Sequence, residues 1–311
     1  MIKYYKTVEN TLIQMDTFQA GCWVNITNPS PDDLRNFATE NDVNESFLMA
    51  ALDEEESARI DTEDGDTLIV VDIPVQESDP GSHMLTVTTI PLAVILMNKM
   101  IITVCLREDS ILQDFIVQRV KDFYTQYKTR FVLQILYRNS TKFLQYLRGI
   151  ERSSNRLEEG LQRSMRNKEL LEMLRLEKSL VYLSTSLRAN GIVLEKLMRN
   201  PNIKNYPDDA DLLEDVIIEN RQAVEMANIY SSILATTTDS FASIISNNQN
   251  NVIKVLTIAT IIMTIPTILS GFMGMNVALP IPEETGFFII IGLTAALIAA
   301  AVALIRWFHL L

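Results

Sequence analysis

The chain has 311 residues, a formal net charge of −12 and 21% charged residues, yet a positive mean hydropathy of +0.12. The surplus of carboxylates excludes a general affinity for nucleic acid, which needs clustered Lys and Arg against phosphate, and suits a protein that handles cations. A positive mean beside so many charges means that the two are segregated: after Lys254 no Lys, Arg, Asp or His occurs before Arg306, and Glu283 and Glu284 are the only charges between them.

The first residues, Met1 to Glu9, lack the apolar core of a secretory signal, so the soluble part is expected to stay in the cytosol. From residue 1 to 110 the pattern is strand-rich, with β-branched runs at 22–26, 67–71, 84–90, 93–97 and 101–105, and with helical stretches at 30–39 and 46–51. That predicts an α/β lobe with a mixed sheet. Cys22 and Cys105 sit in apolar strand settings without CxxC spacing and read as buried free thiols. The acidic run Asp53 to Glu56, continued by Asp61, Glu63, Asp64 and Asp66, reads as a solvated loop. There is no Gly-rich phosphate loop and no nucleophile elbow, and His83 and His309 are far apart without metal-ligand spacing, so an enzyme is not expected.

From 111 to 207 the texture changes to long amphipathic helices, with Phe131, Ile135, Phe143, Leu147 and Ile150, then Leu157, Leu161, Leu176 and Leu180, at helical spacing. The break from Asn200-Pro201 to Tyr206-Pro207 ends that region, and Asp208 or Asp209 is expected to cap a new helix. No Pro follows until Pro266 and no Gly until Gly271, which predicts one helix over 208–275 whose membrane part is about 252–273. A second apolar segment covers 287–305, joined to the first by the connector 274–286 and followed by a tail at 306–311. A hydrocarbon core of about 30 Å needs roughly 20 helical residues, so each segment can span it once. Lys254 and Arg306 flank the spans and the connector carries only acid, which predicts a multi-pass protein of the inner or plasma membrane with both termini cytoplasmic.

At intervals of three or four residues the long helix gives Asp239, Ala242, Ser246, Gln249, Ile253, Leu256, Thr260, Thr264 and Thr267, all on one face. Most are polar or small even at membrane depth. A ring of such helices would enclose a polar tube, with Asp239, Thr260, Thr264 and Thr267 as its lining and Ile253 with Leu256 as a hydrophobic constriction that can gate by dewetting. Two spans per chain cannot enclose a channel, so a cyclic homo-oligomer in membrane lipid is required.

Gly274-Met275-Asn276 at the end of the first of two C-terminal spans, followed by a short acidic connector, resembles the signature of the CorA family of divalent-cation channels. Lys254-Val255-Leu256-Thr257, Pro282-Glu283 and Trp23-Val24-Asn25-Ile26 add to the resemblance; Met273 stands where the family has an aromatic residue. What the resemblance implies is a homopentameric funnel and influx of Mg2+, with Co2+ and Ni2+ as further cargo. Within it Gly274, Met275 and Asn276 form the selectivity filter, with Gly274 letting the backbone turn tightly, and Glu283 and Glu284 concentrate cations at the mouth. Asp215 holds regulatory Mg2+ between protomers, closing the pore when cytosolic Mg2+ is high. The ZntB-like branch shares Gly-Met-Asn, so Zn2+ transport is an alternative reading, and a two-helix membrane-anchored sensor or scaffold without flux is another.

Overall fold

The structure, a computed structural model, describes residues 1–77, 86–164, 167–199, 207–275 and 286–307. Its contacts group into one compact unit, Met1–Thr238, and a second that begins at Asp239.

The first unit is built on a seven-stranded sheet in the order β2-β1-β3-β7-β6-β5-β4. Its strands are β1 (Ile2–Val8), β2 (Thr11–Met15), β3 (Cys22–Thr27), β4 (Arg59–Glu63), β5 (Asp66–Glu77), β6 (Thr86–Leu96) and β7 (Met100–Cys105). Every neighbouring pair is antiparallel except β3 and β7, which run parallel from Cys22↔Met100 to Thr27↔Cys105. Two hairpins close through two-residue turns in which both central residues have positive φ: Glu9-Asn10 (47° and 68°) and Asp64-Gly65 (51° and 89°). That pairing of angles matches the right-handed strand twist and favours Asn, Asp and Gly.

Two sequence expectations change here. The acidic stretch is a loop only as far as Glu56; Asp61 and Glu63 lie in β4 and Asp66 opens β5, because the Asp64-Gly65 turn lets the polar edge strand fold back on its apolar neighbour. The two runs either side of Pro91 form one strand, β6, with the expected start at Met84 lying outside the described residues. Pro91 is opposite Asp72, beyond the last pairing of β7 with β6 (Leu92↔Cys105) and of β4 with β5 (Arg59↔Val70). In such a two-stranded extension each strand has a free edge, where a missing N–H costs no ladder bond.

Helices cover both faces. On one, α1 (Pro31–Asn41) and α2 (Glu45–Met49) bury Leu34, Phe37 and Phe47 against Val24, Ile26, Val70 and Val104. α1 starts on a capping box in which Ser30 and Asp33 exchange side-chain bonds with each other's backbone N–H, with Pro31 in the first turn. On the other face, α3 (Ser110–Ile116), α4 (Lys128–Ser164) and α5 (Asn167–Arg199) pack with Leu213 and Val216 of α6 (Pro207–Met273) over Trp23, Ile69, Val71 and Ile101. Trp23 is the centre of this core: its ring lies 5.1 Å from Tyr5, 5.1 Å from Phe131, 6.2 Å from Phe123 and 6.4 Å from Phe115. Aromatic pairs of that geometry contribute about 0.5–1.5 kcal/mol each beyond the area they bury.

α6 begins at Pro207, so Asp208 and Asp209 lie inside its first turn rather than capping it, where their charge still favours the positive end of the helix dipole. Helical structure carries through Pro266. In the second unit, the C-terminal part of α6 and α7 (Gly286–Trp307) are both long and apolar enough to cross a membrane.

Candidate functional site

In the second unit the face of α6 that holds Asp239, Ala242, Ser246, Gln249, Ile253, Leu256, Thr260, Thr264 and Thr267 is open; none of these side chains is buried in the chain's own core. Ile253 is 60% exposed and Leu256 66%. Apolar side chains of that size left uncovered in one chain need lipid or another protein chain against them.

Each threonine of the face donates its hydroxyl hydrogen backward into its own helix. Thr260 Oγ1 donates to Leu256 O at 2.8 Å, Thr264 Oγ1 to Thr260 O at 2.7 Å and Thr267 Oγ1 to Met263 O at 2.9 Å. A hydroxyl has one hydrogen and two lone pairs. With the hydrogen committed, what each threonine turns outward is an acceptor oxygen. The back-bonds are the ordinary intrahelical habit of Thr, and they fix the polarity of the face.

At the end of α6, Gly274 N donates to Ser270 O at 3.0 Å and Met275 N to Phe272 O at 3.3 Å, so the last turn tightens. Gly274 does not adopt a left-handed conformation, and a Cβ there would meet Ser270 O at 3.6 Å, an ordinary contact. The helix ends at Met273 and Gly274 lies in the turn that follows, with a φ that residues other than glycine also adopt. Asn276, Glu283 and Glu284 lie outside the described residues.

Asp215 sits in the first unit, on the exposed side of α6. Leu213, Val216 and Asn220 are buried against the protomer, whereas Asp211, Glu214, Asp215 and Ile218 face outward. Among the described residues no group of three or more His, Cys, Asp or Glu is placed to hold a metal within one chain. The acidic residues near β4 are instead tied to arginines: Arg59 to Glu56 and Asp61, and Arg107 to Glu54.

A half-buried polar set between sheet and helices was not expected from the sequence. Asp72 N donates to Asn190 Oδ1 at 2.9 Å, and Asp72 O accepts from Asn139 Nδ2 and Asn190 Nδ2, both at 2.8 Å. Thr89 and Ser186 share a hydroxyl bond of 2.8 Å beside them. Burial pushes the Asp72 carboxyl up to about 6, against a smaller opposing effect of its bond with Ser186. The signal in the sequence is Asn139 of α4 and Ser186 and Asn190 of α5, polar residues at core-facing positions among the apolar residues of the same helices. Burial likewise pushes the Cys105 thiol up to about 12 and raises Cys22, so both thiols stay protonated and inert at neutral pH.

An α/β domain and a long helix, followed by a second helix, with both C-terminal segments apolar enough to cross a membrane, define the architecture of a membrane protein. The chain belongs to the CorA family, described as "CorA-like Mg2+ transporter protein", which matches residues 18–309. It is 25% identical over 295 residues to the cobalt/magnesium transport protein CorA of Methanocaldococcus jannaschii, spanning 91% of this chain and 89% of that one. The complete structure of the CorA magnesium transporter from the same organism superposes with a TM-score of 0.80 at 23% identity, covering 98% of this chain and 97% of that chain. The cytoplasmic domain of ZntB from Vibrio parahaemolyticus gives a TM-score of 0.61 at 12% identity, covering 79% of this chain and 98% of that chain, which is a likeness of fold.

Proposed function

We propose that the chain is one subunit of a homopentameric channel that carries Mg2+, and with it Co2+ and Ni2+, into the cytosol down the membrane potential. The observation that carries this reading is the open face of α6, on which the acceptor oxygens of Thr260, Thr264 and Thr267 follow the apolar pair Ile253 and Leu256. Mg2+ parts with its first-shell waters reluctantly. A hydrated Mg2+ presents water hydrogens outward, and outward acceptor oxygens are the complementary lining. His and Cys, the softer ligands that suit Zn2+, do not occur on this face.

In this reading Gly274, Met275 and Asn276 form the outer filter, the Asn276 amide oxygens receiving the hydrated ion, and Glu283 and Glu284 raise the local cation concentration at the mouth. Ile253 and Leu256 gate, and Asp239 receives the ion on the cytosolic side, where both termini lie. Asp215, on the outward side of α6, binds regulatory Mg2+ between neighbouring protomers. High internal Mg2+ then favours the closed ring, as coupling requires that the ion bind the closed form better.

The test is uptake into proteoliposomes of Mg2+, Co2+, Ni2+ and Zn2+, with and without a pH gradient, for the protein and for Asn276→Ala. Mg2+ flux that Asn276→Ala abolishes supports the reading. Zn2+ preferred over Mg2+, or undiminished Mg2+ flux in Asn276→Ala, overturns the cargo or the filter respectively. Loss of internal-Mg2+ inhibition in Asp215→Asn is expected, and inhibition that persists removes Asp215 from regulation.

A further inference from the structure

Strands β3 and β7 are adjacent and parallel, and the chain leaves their carboxyl ends in opposite directions. From Thr27 it passes to α1, whose Leu34 and Phe37 pack with Val24 and Ile26 on one face of the sheet. From Cys105 it passes to α3, whose Ile111, Leu112 and Phe115 pack with Trp23 on the other face. Where neighbouring parallel strands send their connections to opposite faces, a crevice must open at their carboxyl ends, and in open α/β sheets that is where ligands bind. Here a crevice of about 480 Å³ lies at that point, lined among others by Lys3, Asn25, Arg107, Glu108, Gln113 and Ile116.

A buried relay aims a donor into it. Trp23 Nε1 donates to Thr103 Oγ1 at 2.8 Å, and Thr103 Oγ1 donates in turn to Asn25 Oδ1 at 3.0 Å. The hydroxyl of Thr103 thus accepts from the indole and spends its one hydrogen on Asn25 Oδ1, which turns the Asn25 amide nitrogen away from the relay. Asn25 is only 6% exposed, and its Nδ2 has no partner among the described residues. That nitrogen is not sealed in the core; it faces the crevice that Asn25 lines. Two N–H donors are thus held ready, with no side-chain entropy left to lose on binding.

The surrounding charge has one sign in excess. In a chain of 39 Asp and Glu against 27 Lys and Arg, this crevice gathers Lys3 and Arg107 against the single carboxylate of Glu108. Lys3 has no ion-pair partner among the described residues, and Arg107 holds Glu54 only at 3.4 Å and at the surface. We propose that the crevice at the carboxyl ends of β3 and β7 binds a small phosphate-bearing anion, gripped by Asn25 Nδ2 at its floor and by Lys3 and Arg107 at its rim. The volume lies in the range of small-molecule sites, about 300–1,000 Å³, which accommodates a nucleoside monophosphate as well as free phosphate.

The experiment is isothermal titration of the full-length purified protein in Mg2+-free buffer with AMP and, separately, with inorganic phosphate. Neither competes appreciably for Mg2+, so the heats report this crevice and not the cation pathway. Saturable binding of one equivalent per chain is expected; AMP binding tighter than phosphate identifies a nucleotide site, and equal affinities identify a phosphate site. Asn25→Asp keeps the acceptor that Thr103 needs and replaces the donor by an anionic oxygen, so affinity should fall at least about tenfold, the equivalent of one lost charge-assisted hydrogen bond. Lys3→Gln and Arg107→Gln, both at the rim and tolerable to the fold, should each weaken binding about three- to tenfold, as expected for partly exposed charge contacts. No saturable heat with either probe, or rim variants that bind as tightly as the unchanged protein, overturns the proposal even if Asn25→Asp proves unstable.

Discussion

Replacing Asp72 by Asn should make the protein more stable, and more so at high pH. The Asp72 carboxyl lies between β5 and the helices α4 and α5, with its main chain held by Asn139 and Asn190. Its causes are burial, which raises it, and the Ser186 bond, which lowers it less; among the described residues no ionisable group from β6, α4 or α5 contributes. The folded value of about 6 exceeds the ordinary carboxylate value of 3.8, so folding favours the protonated acid. The sign follows: stability is fully present below about 3.8 and is lost as the pH rises through about 6. The gap between those two values corresponds to a ceiling of about 3 kcal/mol. With partial access of water a realised penalty of about 1–2 kcal/mol is expected at pH 8, since effective protein dielectrics exceed those of a dry interior. Asn keeps the shape and the acceptor for Ser186 without the charge. For a unit of this size each kcal/mol moves the midpoint by about 2–4 °C, so Asp72→Asn should melt about 2–8 °C higher at pH 8, with the advantage shrinking as the pH falls towards 4.5. Thermal unfolding of the purified protein across that pH range reads this directly. A variant that melts lower at pH 8, or an advantage that does not change with pH, would refute the buried-acid account.

Three other outcomes are expected. Gly274→Ala should leave melting and membrane insertion unchanged, because a Cβ there meets only ordinary contacts, while Mg2+ flux in proteoliposomes drops; unchanged flux would mean that no neighbouring chain crowds this position. Thr264→Val removes an outward acceptor and keeps the side chain's shape, so flux should fall while expression and melting hold, and flux equal to the unchanged protein would take Thr264 off the conduction path. Trp23→Phe strands the Thr103 hydroxyl without its donor and leaves space in the aromatic core; a loss of about 2–4 kcal/mol is expected from the cavity and the lost bond together, checked by urea unfolding, with a loss under about 1 kcal/mol contradicting the role given to the indole.

The membrane helices were legible because charge disappears from the sequence where lipid begins, and composition cannot be compensated by tertiary context. The continuity of α6 was legible for a similar reason: no Pro or Gly interrupts it before Pro266. The polar edge of the sheet was not. β1, β2 and β4 alternate Lys, Gln, Arg and Asp with apolar residues, and their identity depends on the Glu9-Asn10 and Asp64-Gly65 turns, which a scan for β-branched runs does not weigh. β6 appeared as two strands because Pro91 breaks a pattern from within, whereas its actual cost depends on which neighbours have already ended. On the candidate face the spacing of the threonines was visible, but the direction of their hydrogens depends on each side chain's rotamer against its own helix. Asn25 was hidden inside an apolar run, and only the relay from Trp23 through Thr103 reveals which of its ends is free.

Under the proposed function, the make-up of the face that runs from Asp239 to Thr267 bears on what can ride along it. After Asp239 it holds no side chain that gains or loses a proton in the physiological range: alanine, serine, glutamine, isoleucine, leucine and threonine follow. A counterflow of protons through a membrane needs a succession of titratable carriers, and none stands on this face. Under that reading the electrical driving force on the divalent ion is about 4.6 kcal/mol for two charges across 100 mV, and transport that does not respond to a pH gradient is the expected outcome of the proteoliposome comparison.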